Sequence, residues 1–206
     1  MAFTFFFRDL QALELAIDHV APNLAGRSRP RIWDAGCAMG PEAYTLAILL
    51  AGRLGQFAFR NLRIEATDID ETDQFGDVVR QAVYPAGELE RMPPGILEQY
   101  FEPAGVAGAY RLADRIRASV RFQQHDLLSL REVDSGFSLV VCKNVLLHFS
   151  HSQRVEVIRM FHRSLAPGGY FVTEHTQKLP AEATPLFEQV VPHGQLFRKL
   201  EVAACA

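Results

Sequence analysis

The sequence predicts an α/β protein built on one mostly parallel sheet, and three observations support this prediction. The apolar segment 31–34 enters a turn with two glycines, and segment 41–54 then has the composition of a helix. A second strand is predicted over 62–67, so that strand, helix and strand form a parallel pair with a right-handed connection. The near-continuous apolar run 137–142 is typical of a strand buried on both faces.

Length and composition indicate a single globular domain. The chain has 206 residues, of which 49% are hydrophobic and 22% charged. A net charge of −3 argues against a nucleic-acid partner held by bulk electrostatics. No apolar run approaches the roughly 20 residues that span a membrane, so membrane insertion is not expected. The cysteines lack metal-ligand spacing, which predicts no metal site and a reducing, cytoplasmic location; they are Cys37, Cys142 and Cys205.

The turn after the first predicted strand has two glycines with different expected roles. Gly36 lets the backbone approach a ligand where a Cβ would clash. Gly40 is predicted to be the N-cap of the next helix, with Pro41 as its first residue. The N–H groups at a helix start favour a polar or anionic ligand. The pattern alone fits both a ligand-binding turn and an ordinary tight turn of a parallel sheet.

A carboxylate ends the second predicted strand. Ligands of parallel sheets bind outside the carboxyl ends of the strands, so Asp68 is predicted to accept hydrogen bonds from the hydroxyls of a ribose. The alternative is an aspartate that caps the next helix, a role that Asp70 fits better. Lys143 and Asn144 follow the buried strand and are expected on the same rim as Gly36.

Segment 95–120 breaks the alternation of strands and helices. A short helix is predicted near 97–101, and segments 109–112 and 120–122 alternate like short antiparallel strands. We therefore expect a small β-subdomain inserted at about 95–120 within one domain, 1–206.

The two ends of the chain carry further signals. Apolar residues at helical spacing predict a first helix that ends at Pro22. Near the other end, Ser150 and Gln153 form a capping-box pattern, and Pro167 is expected to stop the helix that follows. A strand is predicted over 170–173, and the tail has the pattern of an antiparallel hairpin.

Short motifs in a fixed order give the chain a family resemblance. They are TFFFRD (4–9), ATDID (66–70), VYP (83–85), VRFQQHDLL (120–128), CKNVLLHF (142–149) and PGGYFVTEH (167–175). From residue 4 to about 200, the chain resembles the CheR-type chemoreceptor glutamate methyltransferases, which are class I S-adenosylmethionine-dependent methyltransferases. The resemblance implies a Rossmann-like seven-stranded sheet with helices on both faces and a C-terminal antiparallel hairpin. The implied cofactor is S-adenosyl-L-methionine, with S-adenosyl-L-homocysteine as its product.

The resemblance also assigns roles to residues. Thr4 and Arg8 would line the methionine end of the cofactor and the active site. Asp126 and Leu127 would flank the adenine, and Lys143 and Asn144 would lie under the methionine moiety. Together with the residues of the first turn and strand ends, the predicted cofactor site comprises Thr4, Arg8, Asp34, Gly36, Gly40, Glu42, Asp68, Asp126, Leu127, Lys143 and Asn144.

The sequence departs from the family pattern in several places. Lys143 stands for the usual Arg, which replaces a planar fork with a point charge, and Asp126 stands for Asn. His148 falls where the family usually has an active-site tyrosine. The resemblance also leads us to expect that this chain lacks the family's N-terminal helical domain, which helps to form the substrate cleft.

Arg8 and His148 are the candidate catalytic residues. Arg8 could orient an anionic acceptor bidentately, or could form only a surface ion pair with Asp9 or Glu14. A carboxylate acceptor is already a nucleophile at pH 7 and needs no general base. A hydroxyl or amine acceptor would need one, and His148 is then the candidate, although it could equally be a histidine that only bonds a neighbour.

The leading prediction is an O-methyltransferase for a carboxylate on a chemoreceptor or another protein. Two alternatives stay open: a methyltransferase for a small molecule or another acceptor, and a cofactor-binding module without catalysis. Residues 1–25 are expected to form a lid segment and helix. In it, burial of Phe5, Phe6 and Phe7 holds Thr4 and Arg8 over the cleft.

Overall fold

The computed structural model describes residues 4–201, whose strands form two sheets. Residues 1–3 of the predicted lid segment and Cys205 lie outside this part of the chain. The strands are β1 (Arg31–Ala35), β2 (Arg63–Asp68), β3 (Val83–Pro85), β4 (Phe101–Pro103), β5 (Ala109–Leu112), β6 (Val120–Gln124), β7 (Phe137–Val141), β8 (Leu165–Val172), β9 (Phe187–Gln189) and β10 (Leu196–Lys199).

The main sheet has seven strands in the order β6-β2-β1-β7-β8-β10-β9. The neighbours from β6 to β8 are parallel, whereas β10 pairs antiparallel with both β8 and β9. The predicted mostly parallel sheet with a closing antiparallel hairpin is therefore confirmed. β3, β5 and β4 form the second, antiparallel sheet.

Helices cover both faces of the main sheet. They are α1 (Leu10–Ala25), α2 (Pro41–Arg53), α3 (Gln56–Asn61), α4 (Phe75–Gln81), α5 (Ala86–Leu89), α6 (Ile96–Tyr100), α7 (Asp114–Arg117) and α8 (His151–Ser164). Alternate residues of the central strands enter two separate cores, because successive side chains of a strand point to opposite faces. Ile32 and Val141 pack with residues of α1 and α2, whereas Trp33 and Val140 pack with Phe161 of α8.

Three local predictions differ from the structure. Segment 120–122 is not an antiparallel strand of the small sheet, because β6 pairs parallel with β2 at the edge of the main sheet. The first helix does not end at Pro22 but continues to Ala25, with the fully buried Leu24 holding its last turn to the core. β8 begins at Leu165, before the Pro-Gly-Gly segment that was expected to precede the strand. The capping box of Ser150 and Gln153 is confirmed.

Candidate functional site

A cavity of about 600 Å³ opens at the carboxyl ends of β6, β2, β1 and β7. Its volume falls within the range of sites that bind small molecules and cofactors. Most of the predicted site residues meet there. The predicted residues that line it are Thr4, Arg8, Gly36, Glu42, Asp68, Asp126, Leu127, Lys143, Asn144 and His148.

The turn after β1 brings the backbone to the cavity edge. Gly36 has a φ of 95°, and a Cβ at this position would clash with Cγ2 of Val145. The N–H groups of Gly36 and Cys37 both donate to the carbonyl oxygen of Thr67, at 2.7 and 2.9 Å. The turn is thus bonded to β2, and only glycine fits at position 36.

Two predicted cofactor residues lie behind this turn rather than in the cavity lining. Gly40, with a φ of 95°, is the N-cap of α2 and Pro41 is its first residue, as predicted. Asp34 shares its strand face with Ile32, and its side chain is fully buried. Burial, and then the charge of Glu42, raises the pKa of Asp34 well above its ordinary value.

The carboxylate of Asp68 can accept more hydrogen bonds than the protein itself donates to it. Its Oδ2 accepts from the N–H of Ala38 at 2.9 Å, and its Oδ1 accepts from the N–H of Asp70 at 3.2 Å. A carboxylate has about four lone-pair positions, so about two are left for the hydroxyls of a ribose. The geometry therefore fits the ribose role.

Asp70, rather than Asp68, caps the start of α4. Its carboxylate accepts from the N–H groups of Gln74, Phe75 and Gly76 at 2.9, 2.9 and 3.0 Å. Burial opposes ionisation of Asp70, but these three hydrogen bonds outweigh it and lower its pKa. Asp68 is therefore not needed to start α4.

The part of the cavity wall formed by Ile69, Leu127 and Leu128 is apolar. Leu127 lies in a short 3₁₀ turn that Asp126 caps, because its Oδ1 accepts a 2.8 Å bond from the N–H of Leu128. Ile69 and Leu128 also line the cavity, although their side chains are partly exposed. Such a surface suits a flat, weakly polar ring such as adenine. Sequence reasoning missed Ile69 and Leu128, although each directly follows a predicted site residue.

Lys143 is the buried centre of an ion network. Its side chain is 0% exposed, and Nζ lies 3.0 Å from Oε2 of Glu42 and 3.3 Å from Oδ2 of Asp9. The third contact is a 3.3 Å bond to the carbonyl oxygen of Arg8. The three donors of the ammonium group thus meet three acceptors. A point charge on a flexible stem suits this arrangement, which ties the N-terminal segment to α2.

Asn144 joins three parts of the chain. It has a φ of 60°, and its Oδ1 accepts a 2.8 Å bond from Nη2 of Arg8. Its N–H donates to Oε2 of Glu174 at 2.9 Å, and the same oxygen accepts from the hydroxyl of Thr173. Sequence reasoning missed Glu174 as a supporting residue. Its place directly after a predicted strand, on the same rim, was the available signal.

The N-terminal segment is packed against the domain. The N–H of Phe7 donates to Oγ1 of Thr45 in α2 at 3.0 Å. The ring of Phe6 packs edge-on against Tyr84 at 4.9 Å and Phe101 at 5.6 Å, both in the small sheet. The hydroxyl of Tyr84 in turn donates to the carbonyl oxygen of Met39 in the glycine turn at 2.8 Å. The small sheet therefore supports both Thr4 to Arg8 and the cofactor turn.

The two predicted catalytic residues lie at the cavity mouth. His148 is exposed in a short 3₁₀ turn, and its ring forms no hydrogen bond within the described residues. Arg8 is bonded to Asn144, and its Nε also lies 4.0 Å from Oδ2 of Asp9. Arg8 thus lines the cavity and also forms the predicted ion pair with Asp9.

A comparison with protein-family models identifies the domain. The model described as CheR methyltransferase, SAM binding domain, matches residues 2–193. The chain belongs to this family. S-adenosylmethionine is therefore its cofactor and methyl transfer its reaction class, and the predicted class I fold is confirmed.

Alignments with relatives of the CheR family cover almost the whole chain. A probable chemotaxis protein methyltransferase of Rhizobium etli is 27% identical over 91% of this chain and 72% of its own length. Chemotaxis protein methyltransferase 2 of Vibrio cholerae is 30% identical over 95% of this chain and 67% of its own. A TehB-like SAM-dependent methyltransferase structure from Corynebacterium glutamicum is 15% identical, with a TM-score of 0.47, over 88% of this chain and 83% of that one.

None of the helices within residues 4–201 combines the length and apolar character that a membrane span requires.

Proposed function

We propose that this domain methylates a carboxylate oxygen of a protein glutamate, in a substrate of the chemoreceptor type. The observation that carries the proposal is the Arg8–Asn144 pair at the cavity mouth, where a guanidinium fixed at 2.8 Å can orient a carboxylate. Relatives that are named chemotaxis protein methyltransferases support a substrate that belongs to chemotaxis. We assign this activity to the cytoplasm, since Cys37 and Cys142 are free and buried.

When bound, S-adenosylmethionine supplies a sulfonium-linked methyl group. The acceptor oxygen forms a bond to the methyl carbon as the carbon–sulfur bond breaks, which leaves a methyl ester and S-adenosylhomocysteine. No proton is transferred, because the carboxylate is ionised at pH 7. The protein therefore has to align the two reactants and exclude water, rather than supply a base.

Several of the predicted site residues have a proposed task in this reaction. Asp68 holds the ribose hydroxyls, and Leu127 and Asp126 border the adenine. Lys143 keeps Glu42 and the backbone of Arg8 in place beside the methionine end. With these tasks fulfilled, the methionine end of a bound cofactor would lie on the side of the cavity that Arg8 lines.

We propose further that residues 4–8 act as a lid over the cofactor. Phe6 and Phe7 are buried, and this burial offsets the cost of ordering a terminal segment. Deleting residues 1–8 removes the Arg8 contacts and should weaken S-adenosylhomocysteine binding at least about tenfold in calorimetry. The variant Phe57→Ala, which truncates an exposed aromatic far from the cavity, is the control. Equal affinity with and without the segment would refute the lid.

The acceptor is tested by a transfer assay. Purified protein is incubated with methyl-labelled S-adenosylmethionine and the cytoplasmic fragment of a chemoreceptor, and alkali is then added. A carboxyl methyl ester releases labelled methanol in alkali, whereas methylated hydroxyls and amines keep their label. A receptor fragment whose acceptor glutamates are replaced by alanine should remain unlabelled. Label in small molecules only would favour the small-molecule alternative, and cofactor binding without any transfer would favour the non-catalytic one.

A further inference from the structure

A second, smaller cavity lies at the other end of the main sheet. Its volume is about 210 Å³, and Ser138, near the amino end of β7, lies in its wall. The cofactor cavity opens at the carboxyl end of the same strand. The two cavities are therefore separate, and the chemistry of the smaller one does not depend on the methyl acceptor.

An irregularity between β7 and β8 makes room for this cavity. Phe137 pairs with Leu165, but the next pair joins Leu139 to Tyr170. Residues 166–169 of β8 therefore lie opposite Ser138 alone. Glycine is required in this bulge, because a Cβ at Gly169 would lie 2.9 Å from the carbonyl oxygen of Phe137.

Ser138, in the wall of the cavity, has a buried hydroxyl without a partner in residues 4–201. The residue is 2% exposed, and its Oγ has no hydrogen-bond partner within the described residues. An unpaired buried hydroxyl costs folding free energy, so such groups nearly always have a partner. The partner that fits here is a ligand or an ordered solvent species in the cavity that Ser138 lines.

Two arginines provide positive charge at the same place. Arg27 follows the end of α1, Arg198 lies in β10, and both line the cavity together with Asn23. Within residues 4–201 neither guanidinium forms an ion pair, although Glu188 is the cross-strand neighbour of Arg198. Guanidinium groups favour oxyanions, since their planar N–H donors match two oxygens at once.

We propose that this cavity binds a phosphate-type oxyanion, with Arg27 and Arg198 as the charged ligands and Ser138 as a buried hydroxyl donor. The cavity is smaller than the sites that enclose whole cofactors, so it accommodates one phosphoryl group rather than a nucleotide. Inorganic phosphate and the phosphoryl group of a small monoester have the same chemistry at such a site.

The test is calorimetry with inorganic phosphate on the whole chain. S-adenosylhomocysteine is present at saturation to occupy the cofactor cavity, and sodium chloride keeps the ionic strength constant. We expect saturable binding that Arg198→Gln and Arg27→Gln each weaken at least about tenfold, and Ser138→Ala about threefold. Arg29→Gln, an exposed arginine outside the cavity, should leave phosphate affinity unchanged.

Unchanged S-adenosylhomocysteine affinity in each variant verifies that the fold is intact. Binding of glycerol 3-phosphate as well as phosphate would assign the site to monoesters, and its exclusion would assign it to free phosphate. The proposal is overturned if the wild-type chain shows no saturable phosphate binding, or if Arg198→Gln binds phosphate as tightly as the wild type. Loss of stability in Arg27→Gln without a change in phosphate affinity would give that arginine a structural role only.

Discussion

Replacing Lys143 by methionine tests whether the buried ion network holds the cofactor site together. Methionine keeps most of the length and volume of the lysine side chain, so the change removes the charge with little loss of packing. Lys143→Met leaves the carboxylate of Glu42 without its 3.0 Å partner, in a position where that side chain is only 12% exposed. The second carboxylate, that of Asp9, is 48% exposed and can return to water.

The expected cost follows from these exposures. Breaking a fully buried ion pair costs about 3–5 kcal/mol, because one charge stays buried and unpaired. Since Glu42 retains some access to solvent and Asp9 retains much, we expect Lys143→Met to lower the free energy of unfolding by about 2–3 kcal/mol. Binding of S-adenosylhomocysteine should also weaken, because Glu42 and the backbone of Arg8 lose their common anchor.

Urea unfolding measures the first effect and calorimetry the second. Lys178→Met, at an exposed lysine without an ion pair in the described chain, should change the free energy of unfolding by less than about 0.5 kcal/mol. The double variant Glu42→Gln with Lys143→Met should recover at least about 1 kcal/mol relative to Lys143→Met, because no unpaired charge stays buried. Wild-type stability of Lys143→Met, or no recovery in the double variant, would refute the reasoning.

Three further predictions concern single residues of the site. Asp68→Ala should weaken S-adenosylhomocysteine binding by roughly 1.5–3 kcal/mol in calorimetry, because two ribose hydroxyls lose an ionised acceptor; unchanged affinity would remove Asp68 from the site. For a carboxylate acceptor, the methylation rate should not fall between about pH 8 and pH 6, and His148→Gln should leave the pH profile unchanged; an acidic limb that this variant abolishes would make His148 a general base. Asp34 has a raised pKa in the folded state, so the folded protein keeps a proton that the unfolded chain releases, and stability falls as pH rises from the ordinary carboxyl pKa to the folded one. Asp34→Asn should flatten this part of the curve of unfolding free energy against pH, and an unaltered slope would show that Asp34 is ionised throughout.

The parts of the site that depend on neighbours in sequence could be predicted from the sequence. Asp68 directly follows a predicted strand and Gly36 lies in the turn after another, and parallel strands bring their carboxyl ends to one rim. The spacing between Asp70 and α4 likewise separated the capping aspartate from the ribose candidate, and the three backbone bonds to Asp70 bear this out.

The parts that depend on distant pairs could not be predicted in this way. Lys143 and Glu42 are 101 residues apart, and no local pattern says which acceptors a buried lysine will meet. The predicted antiparallel pairing of segment 120–122 was wrong for a similar reason. Alternation over 120–122 indicates a strand, but the partner strand decides whether it is parallel or antiparallel.

The link between Arg8 and Asn144 also bears on how the chain is made. The two residues are 136 positions apart, so at roughly 5–20 residues per second a ribosome synthesises Asn144 about 7–27 s after Arg8. Phe6 must likewise wait for Tyr84 and Phe101, the rings that bury it. During this interval the nascent chain presents adjacent phenylalanines to chaperones and to other nascent chains. A segment that leaves the ribosome early is therefore among the last to reach its native contacts.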